Sequence, residues 1–196
     1  MYIVLEGIDG SGKSTQIKLL KEWLENNGFN VETITEPTDM EIGRLIREYL
    51  ARSDADSESM QRILGLLFAA DRLMQMDKIE SLEKENTVVI SDRSFYSSFV
   101  YQEPLEWVKE LNKYAKVPDL VLLLDLDVKK SVDRCDKKDK FENEAFLTEV
   151  KQKYLDLAES YDNIKIIDAN IGPNKVSSDI KKEVAPLFDI CKDCIL

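Results

Sequence analysis

The stretch Tyr2-Ile3-Val4-Leu5-Glu6-Gly7-Ile8-Asp9-Gly10-Ser11-Gly12-Lys13-Ser14-Thr15 decides the fold. Tyr2–Leu5 is an apolar run that reads as a buried strand. Residues 7–14 complete the pattern G-x-x-x-x-G-K-[ST], and a helical periodicity opens at Ser14 and runs to Asn26. A Gly-rich turn capped by Ser14 would also use these glycines. The strand before and the helix after separate a phosphate loop from such a turn. Gly7, Gly10 and Gly12 let successive backbone N–H groups, among them those of Asp9 and Ser11, converge on a phosphate. The helix N-terminus beneath adds partial positive charge. Lys13 reaches toward β- and γ-phosphates, and the Ser14 hydroxyl is a candidate ligand of Mg²⁺.

Outward from that loop, strand and helix alternate. Strands are predicted at Tyr2–Leu5, Asn30–Thr35, Thr87–Ser91, Asp119–Leu124 and Ile164–Ile167. Helices are predicted at Ser14–Asn26, Glu41–Arg52, Ser57–Glu85, Phe95–Gln102, Leu105–Tyr114, Val128–Asp136, Glu144–Tyr161 and Asn174–Ile190. The alternation predicts an α/β fold of the P-loop NTPase type, a three-layer αβα sandwich with a five-stranded parallel sheet. The 196 residues read as one domain, with the charge-dense segment 133–143 as a mobile lid loop within it.

The net charge is −11, with no dense basic stripe, so a nucleic-acid polymer is excluded as partner. A small anionic nucleotide, held by one preorganised loop, is compatible. No run approaches the ~18 apolar residues of a membrane span. The N-terminus enters a strand without a leader peptide, and three cysteines make no disulfide framework. A cytoplasmic protein is expected. With no histidine in the chain, chemistry that needs a histidine base or ligand is excluded. Cys191-x-x-Cys194 lies at a helix end rather than a helix start, and reads as an incidental pair.

Two further constellations carry chemistry. Val88-Val89-Ile90-Ser91-Asp92-Arg93 is an apolar strand ending in Asp-Arg. Ligands of open α/β sheets sit at the carboxyl ends of strands. Asp92 can therefore face Ser14 and hold Mg²⁺, and Arg93 can grip a second phosphate. Asp92 could instead cap the helix that follows, and Asp125, ending the fourth strand, is a rival metal ligand. Phe68 and Arg72, four apart on a helix, share one face. Such a pair suits a base with carbonyl groups. Taken alone, a Phe on a long amphipathic helix is ordinarily core, and an Arg there is ordinarily a solvated ion pair.

Taken together, these residues resemble the thymidylate kinase family across nearly the whole chain. The resemblance rests on Glu6–Thr15, Glu36-Pro37, Phe68-Ala69-Ala70-Asp71-Arg72, Asp92-Arg93-Ser94, Ser97-Ser98, Tyr101-Gln102, Asp139-Lys140-Phe141-Glu142 and Ile167-Asp168-Ala169. It implies transfer of the γ-phosphoryl of ATP to dTMP with Mg²⁺, on the path to dTTP, by a homodimer. It implies that Asp9 meets the acceptor sugar, Phe68 stacks on thymine and Arg72 donates to its O4. Ser98 lies near N3, Tyr101 crowds the 2′ position and Arg93 binds the acceptor phosphate. Glu36 and Pro37 border the acceptor, Arg134 lies near ATP, and main chain near Ala169-Asn170 takes the adenine edge.

Three departures from the family pattern stand out. Thr35 replaces an Arg before Glu36-Pro37, which would pass its charge to another residue such as Arg47. Lys137, Lys138 and Lys140 stand where the lid is often Arg-rich, and Lys lacks the planar fork. An Arg finger contributes roughly 10³–10⁵ in rate, so a lysine lid would lower turnover. Ser98 is small where some members carry a longer amide, which bears on the choice between thymine and uracil. Two alternatives stay open. A deoxynucleoside kinase would need a carboxylate base, with Glu36 the candidate. A nucleotide-dependent regulatory ATPase would need no acceptor site.

Overall fold

The computed structural model describes residues 1–134 and 144–191. Five strands form one parallel sheet: β1 (Tyr2–Glu6), β2 (Asn30–Thr35), β3 (Thr87–Asp92), β4 (Leu120–Asp125) and β5 (Ile164–Asp168). Their order across the sheet is β2-β3-β1-β4-β5. The pattern of each strand follows from its place. Every residue of β1 is buried, and β3 and β4 are buried along nearly their full length. Covered on both faces, they need continuous apolar runs. At the edges, β2 and β5 alternate or mix buried with exposed positions.

The helices are α1 (Lys13–Asn26), α2 (Glu41–Leu50), α3 (Glu58–Lys84), α4 (Phe95–Tyr101), α5 (Leu105–Leu111), α6 (Val128–Arg134), α7 (Glu144–Ser160) and α8 (Pro173–Val184). Right-handed crossovers fix their sides. The step from β1 to β2 runs one way across the sheet and carries α1, against which α8 packs. The later steps run the other way, so α3, α4 and α7 cover the opposite face. Ile3, Leu5, Leu20, Leu24, Ile90 and Leu122 fill the core between. A smaller cluster of Ile46, Met60 and Leu64 joins α2 to α3.

The register sets the site. Leu5 lies opposite Asp92 on one side and Leu122 on the other. The carboxyl ends of β1 and β3 thus open into the same crevice, where the strand order reverses. α3 is 27 residues long, about 40 Å at ~1.5 Å per residue. Three helices whose ends lie within the described residues stop two or more residues short of their predicted bounds: α2 at Leu50 rather than Arg52, α5 at Leu111 rather than Tyr114, and α8 by the widest margin. The predicted Asn174–Ile190 helix stops at Val184, and Ala185–Phe188 form a 3-10 turn. Pro186 has no N–H to continue the ladder, although the apolar periodicity runs on past it. Most of the predicted lid, with its lysines, lies outside the described residues, as does Cys194.

Candidate active site

Gly7 leaves β1 with φ +138, and a Cβ there would meet the Leu124 carbonyl oxygen at 2.7 Å. Only glycine fits so close to a neighbouring strand. Gly12, at φ +98, turns the chain into α1. Lys13 folds back over the loop and donates to Gly7 O at 3.0 Å and Ile8 O at 3.3 Å. Ser14 and Thr15 are exposed on the first turn of α1. The loop is braced from α6: Ser131 Oγ donates to Asp9 O at 2.6 Å and Arg134 Nη1 to Gly10 O at 3.0 Å. Asn170 Oδ1 accepts from the Asp127 amide at 2.9 Å, which brings the segment after β5 beside the start of α6.

Burial lowers the Lys13 ammonium to about 8, helped by the Arg93 charge and opposed by Asp9. A polyphosphate wants the protonated form. Below about pH 8 the nucleotide meets a charged Lys13, and above it the enzyme must first take up a proton. The KM for ATP is therefore expected to rise above that pH, approaching about tenfold per unit. A KM that stays flat to about pH 9.5 would contradict the assignment of Lys13.

Ser14 Oγ donates to Asp92 Oδ2 at 3.3 Å, so the two candidate metal ligands face each other. Asp92 does not cap the following helix. Ser94 does, accepting from the Tyr96 amide at 3.3 Å. The rival, Asp125, is engaged by Lys151 Nζ at 2.5 Å. Among the described residues no group of three acidic or sulfur side chains forms a metal cage. Mg²⁺ does not require one, since it keeps several waters and uses one or two protein oxygens beside substrate phosphates.

Next to the loop lies a cavity of about 200 Å³. It is lined by Asp9, Glu36, Pro37, Phe68, Arg72, Arg93, Ser98 and Tyr101, the whole predicted acceptor set. Ser97 and Gln102, part of the segments that carry the resemblance, also line it, as do Leu50, Gln61 and Phe146, for which the sequence carries no sign. Arg72 is buried rather than solvated. Its Nε and Nη2 grip Glu36 Oε2 at 2.9 and 2.6 Å, Nη2 reaches Ser98 Oγ at 3.2 Å, and Nη1 donates to Asn112 Oδ1. Burial holds the Glu36 carboxyl above the ordinary carboxylate range, and the Arg72 charge and hydrogen bonds offset only part of that rise.

Arg93 holds φ +75, outside the usual range of a non-glycine residue. Its Nη2 pairs with Asp9 Oδ1 and its guanidinium carbon lies 5.4 Å from the Tyr101 ring centroid. Burial opposes the Arg93 charge, but the surrounding Tyr101, Tyr154, Asp9 and Glu6 hold its pKa above that of a free guanidinium. Burial would likewise raise Asp9, but the Arg93 and Lys13 charges outweigh it and keep the carboxyl low. Burial pushes the Tyr101 phenol up to about 12, against the pull of Arg93.

The segment 36–40 is fixed from two sides. Thr38 gives its N–H and hydroxyl to Asp71 at 2.7 and 2.6 Å. Arg47 donates to the carbonyls of Thr38 and Pro37, each at 2.6 Å. Arg47 thus braces backbone and does not line the cavity, contrary to its expected role as substitute for an Arg at Thr35. Thr35 itself is exposed, opposite Asp92 on the edge strand. Gly43 permits the approach of α2, since a Cβ there would lie 1.9 Å from Thr38 O. Gly43→Ala is expected to cost about 1–3 kcal/mol, measured as a lower Cm in urea with unchanged slope.

Strand order, phosphate loop and neighbouring cavity define a P-loop phosphotransferase with room for a small acceptor. The thymidylate kinase family model matches residues 5–180. The chain is 63% identical over 195 residues to a probable thymidylate kinase of Methanobrevibacter smithii, with 100% of both chains covered. It is 47% identical over 196 residues to one of Methanothermobacter thermautotrophicus, again with 100% of both chains covered. A solved thymidylate kinase from Candida albicans matches with a TM-score of 0.83 at 26% identity, covering 96% of this chain and 92% of that one. The chain belongs to the thymidylate kinase family, and it is a nucleotide kinase.

Proposed function

We propose that the chain phosphorylates dTMP to dTDP with the γ-phosphoryl of ATP, in the supply of dTTP, and that the residues above carry the reaction as follows. The observation that supports this most is Arg93, which lines the acceptor cavity and pairs with Asp9 of the phosphate loop. A guanidinium there binds the acceptor phosphate and holds it in line with the γ-phosphate on Lys13. Gly7, Gly10, Ser11, Gly12 and Thr15 shape the ATP-binding loop, and Arg134 neutralises charge at its rim. Asp9 positions the acceptor sugar. Phe68 stacks on thymine, and the clamped Arg72 donates to its O4 while Ser98 borders N3. Tyr101, with Glu36 and Pro37, closes the sugar side.

The acceptor is a phosphate monoester, mostly ionised near neutral pH, so the site needs positioning and charge rather than a strong base. Mg²⁺ fits Ser14 and Asp92, two hard oxygen donors side by side, and when bound with ATP it offsets the charge of the β- and γ-phosphates. The deoxynucleoside-kinase reading needs Glu36 as base, but both Glu36 oxygens are held by Arg72. The adjoining acceptor cavity disfavours a regulatory ATPase.

An apolar stripe of Ile63, Leu66, Leu73 and Met74 is exposed on one face of α3, and supports a homodimer through that helix. No helix among the described residues is long and apolar enough to cross a membrane. The nucleotide substrates fit a cytoplasmic place of work.

Calorimetric titration tests the acceptor reading. dTMP is expected to bind at least about tenfold more tightly than thymidine, through the charge-assisted contact with Arg93, and Arg93→Ala is expected to erase the difference. Equal affinity of the native protein for both would overturn it.

A further inference from the structure

Glu6 ends β1 immediately before the phosphate loop and is almost wholly buried. Among the described residues no cation touches its carboxylate. Five donors do. Oε1 accepts from the Ser94 amide at 2.8 Å, the Ser94 hydroxyl at 2.9 Å and the Ser97 amide at 3.2 Å. Oε2 accepts from the Ser97 hydroxyl at 2.7 Å and the Tyr154 hydroxyl at 2.9 Å. Those two hydroxyls also face Arg93: its Nη1 donates to Ser97 Oγ at 3.0 Å and to Tyr154 OH at 3.2 Å. The hydroxyl oxygens lie 2.9 Å from each other.

Proton counting limits the directions this network can take. A hydroxyl has one proton and two lone pairs. When both protons point at Glu6 Oε2, both oxygens present lone pairs to Nη1, which has two N–H groups to give. Glu6 therefore dictates how two hydroxyls face a guanidinium that it does not touch. It has a second grip on the same residue. The Ser94 amide held by Oε1 directly follows Arg93, whose φ of +75 an L side chain rarely adopts. One carboxylate thus holds both the backbone exit from Arg93 and one end of its side chain. Nη2, the nitrogen that meets Asp9, is left for the cavity side. A core needs no such group for stability, because apolar residues of similar volume pack as well.

We propose that Glu6 is a positioning residue for the acceptor: through the hydroxyls of Ser97 and Tyr154 it orients Arg93 toward the phosphate of a nucleoside monophosphate. The inference rests on the reading of Arg93 as the acceptor-phosphate ligand, and the test separates the two.

Glu6→Gln keeps the volume but puts an NH₂ donor among five donors, which turns at least one hydroxyl proton toward Arg93. The expected result is a loss of roughly 100-fold in kcat/KM for dTMP, with the KM for ATP changed by less than about 2-fold. Because Glu6 acts through Arg93, adding Glu6→Gln to Arg93→Ala should lower kcat/KM by no more than about 2-fold further. The pair Ser97→Ala with Tyr154→Phe leaves Glu6 in place and should reproduce the acceptor defect, so it serves if Glu6→Gln does not fold. Full dTMP kinetics in that pair, or losses that multiply in the double variant with Arg93→Ala, would overturn the relay. If Arg93→Ala weakens dTMP and Glu6→Gln does not, the relay fails and the acceptor reading stands. If Arg93→Ala leaves dTMP kinetics intact, the acceptor reading fails and takes the proposal with it.

Discussion

Lys13→Ala is expected to abolish phosphoryl transfer, with kcat/KM for ATP reduced at least about 10³-fold. The expectation follows from how few cations the phosphate site holds among the described residues. Lys13 is buried under the loop, and its ammonium already sits on the carbonyls of Gly7 and Ile8, 3.0 and 3.3 Å away. These contacts hold it in place before the nucleotide arrives, so little reorganisation is needed when charge shifts in the transition state. Arg93 belongs to the acceptor side, and Arg134 is an exposed residue on a loop carbonyl. Neither can replace an ammonium at the β,γ bridge. Removing Lys13 also leaves two carbonyl oxygens without their donor, so thermal unfolding should be recorded alongside the rate. A folded protein that melts a few degrees lower and shows no turnover is the expected pair of observations. Retained transfer would sink the assignment of the phosphate loop.

Glu36→Ala is expected to act mainly on stability, and more strongly than most single substitutions. Arg72 and Glu36 pair at 2.6 Å with side chains only 3% and 4% exposed. Removing one partner of such a pair leaves an uncompensated buried charge and costs about 3–5 kcal/mol. For a chain of this size that is a fall in Tm of roughly 10 °C or more, readable by calorimetry. Function falls with it. Arg72 loses the two-nitrogen grip that aims it, and among the described residues keeps Ser98 and Asn112 as partners. The KM for dTMP should rise more than the KM for ATP, because the defect lies on the acceptor side. A Tm within about 2 °C of the native protein would show that the pair is not a structural clamp.

How far the molecule was legible in its sequence depends on the range of the interactions. The central strands and the phosphate loop were readable because each is written in consecutive residues: an apolar run, then glycines, then Lys13 and Ser14. The end of α8 was misread because periodicity persists across Pro186, while the ladder cannot. The competition between Asp92 and Asp125 was undecidable locally. Lys151, 26 positions after Asp125, takes that carboxylate, and Ser14, 78 positions from Asp92, meets the other.

Arg72 was misjudged by helix pattern alone for the same reason. A guanidinium on a long helix normally faces water, and only Glu36, 36 residues earlier, makes its burial tolerable. Glu6 gave the weakest signal of all. A carboxylate at the end of an apolar strand looks like a solvated terminus until α4 and α7 bring Ser97 and Tyr154 over it, the latter from 148 positions away. What the sequence left hidden is the packing that orients the charged groups, which arises from contacts distant in the chain.

The most direct test of the central claim, that loop and cavity form one γ-phosphoryl transfer site, follows the phosphoryl group itself. The purified chain is incubated with γ-labelled ATP, Mg²⁺ and dTMP, and the products are separated. Label in dTDP, absent when dTMP is replaced by thymidine, is the expected result. Label released only as inorganic phosphate, or carried onto thymidine and not onto dTMP, would contradict it.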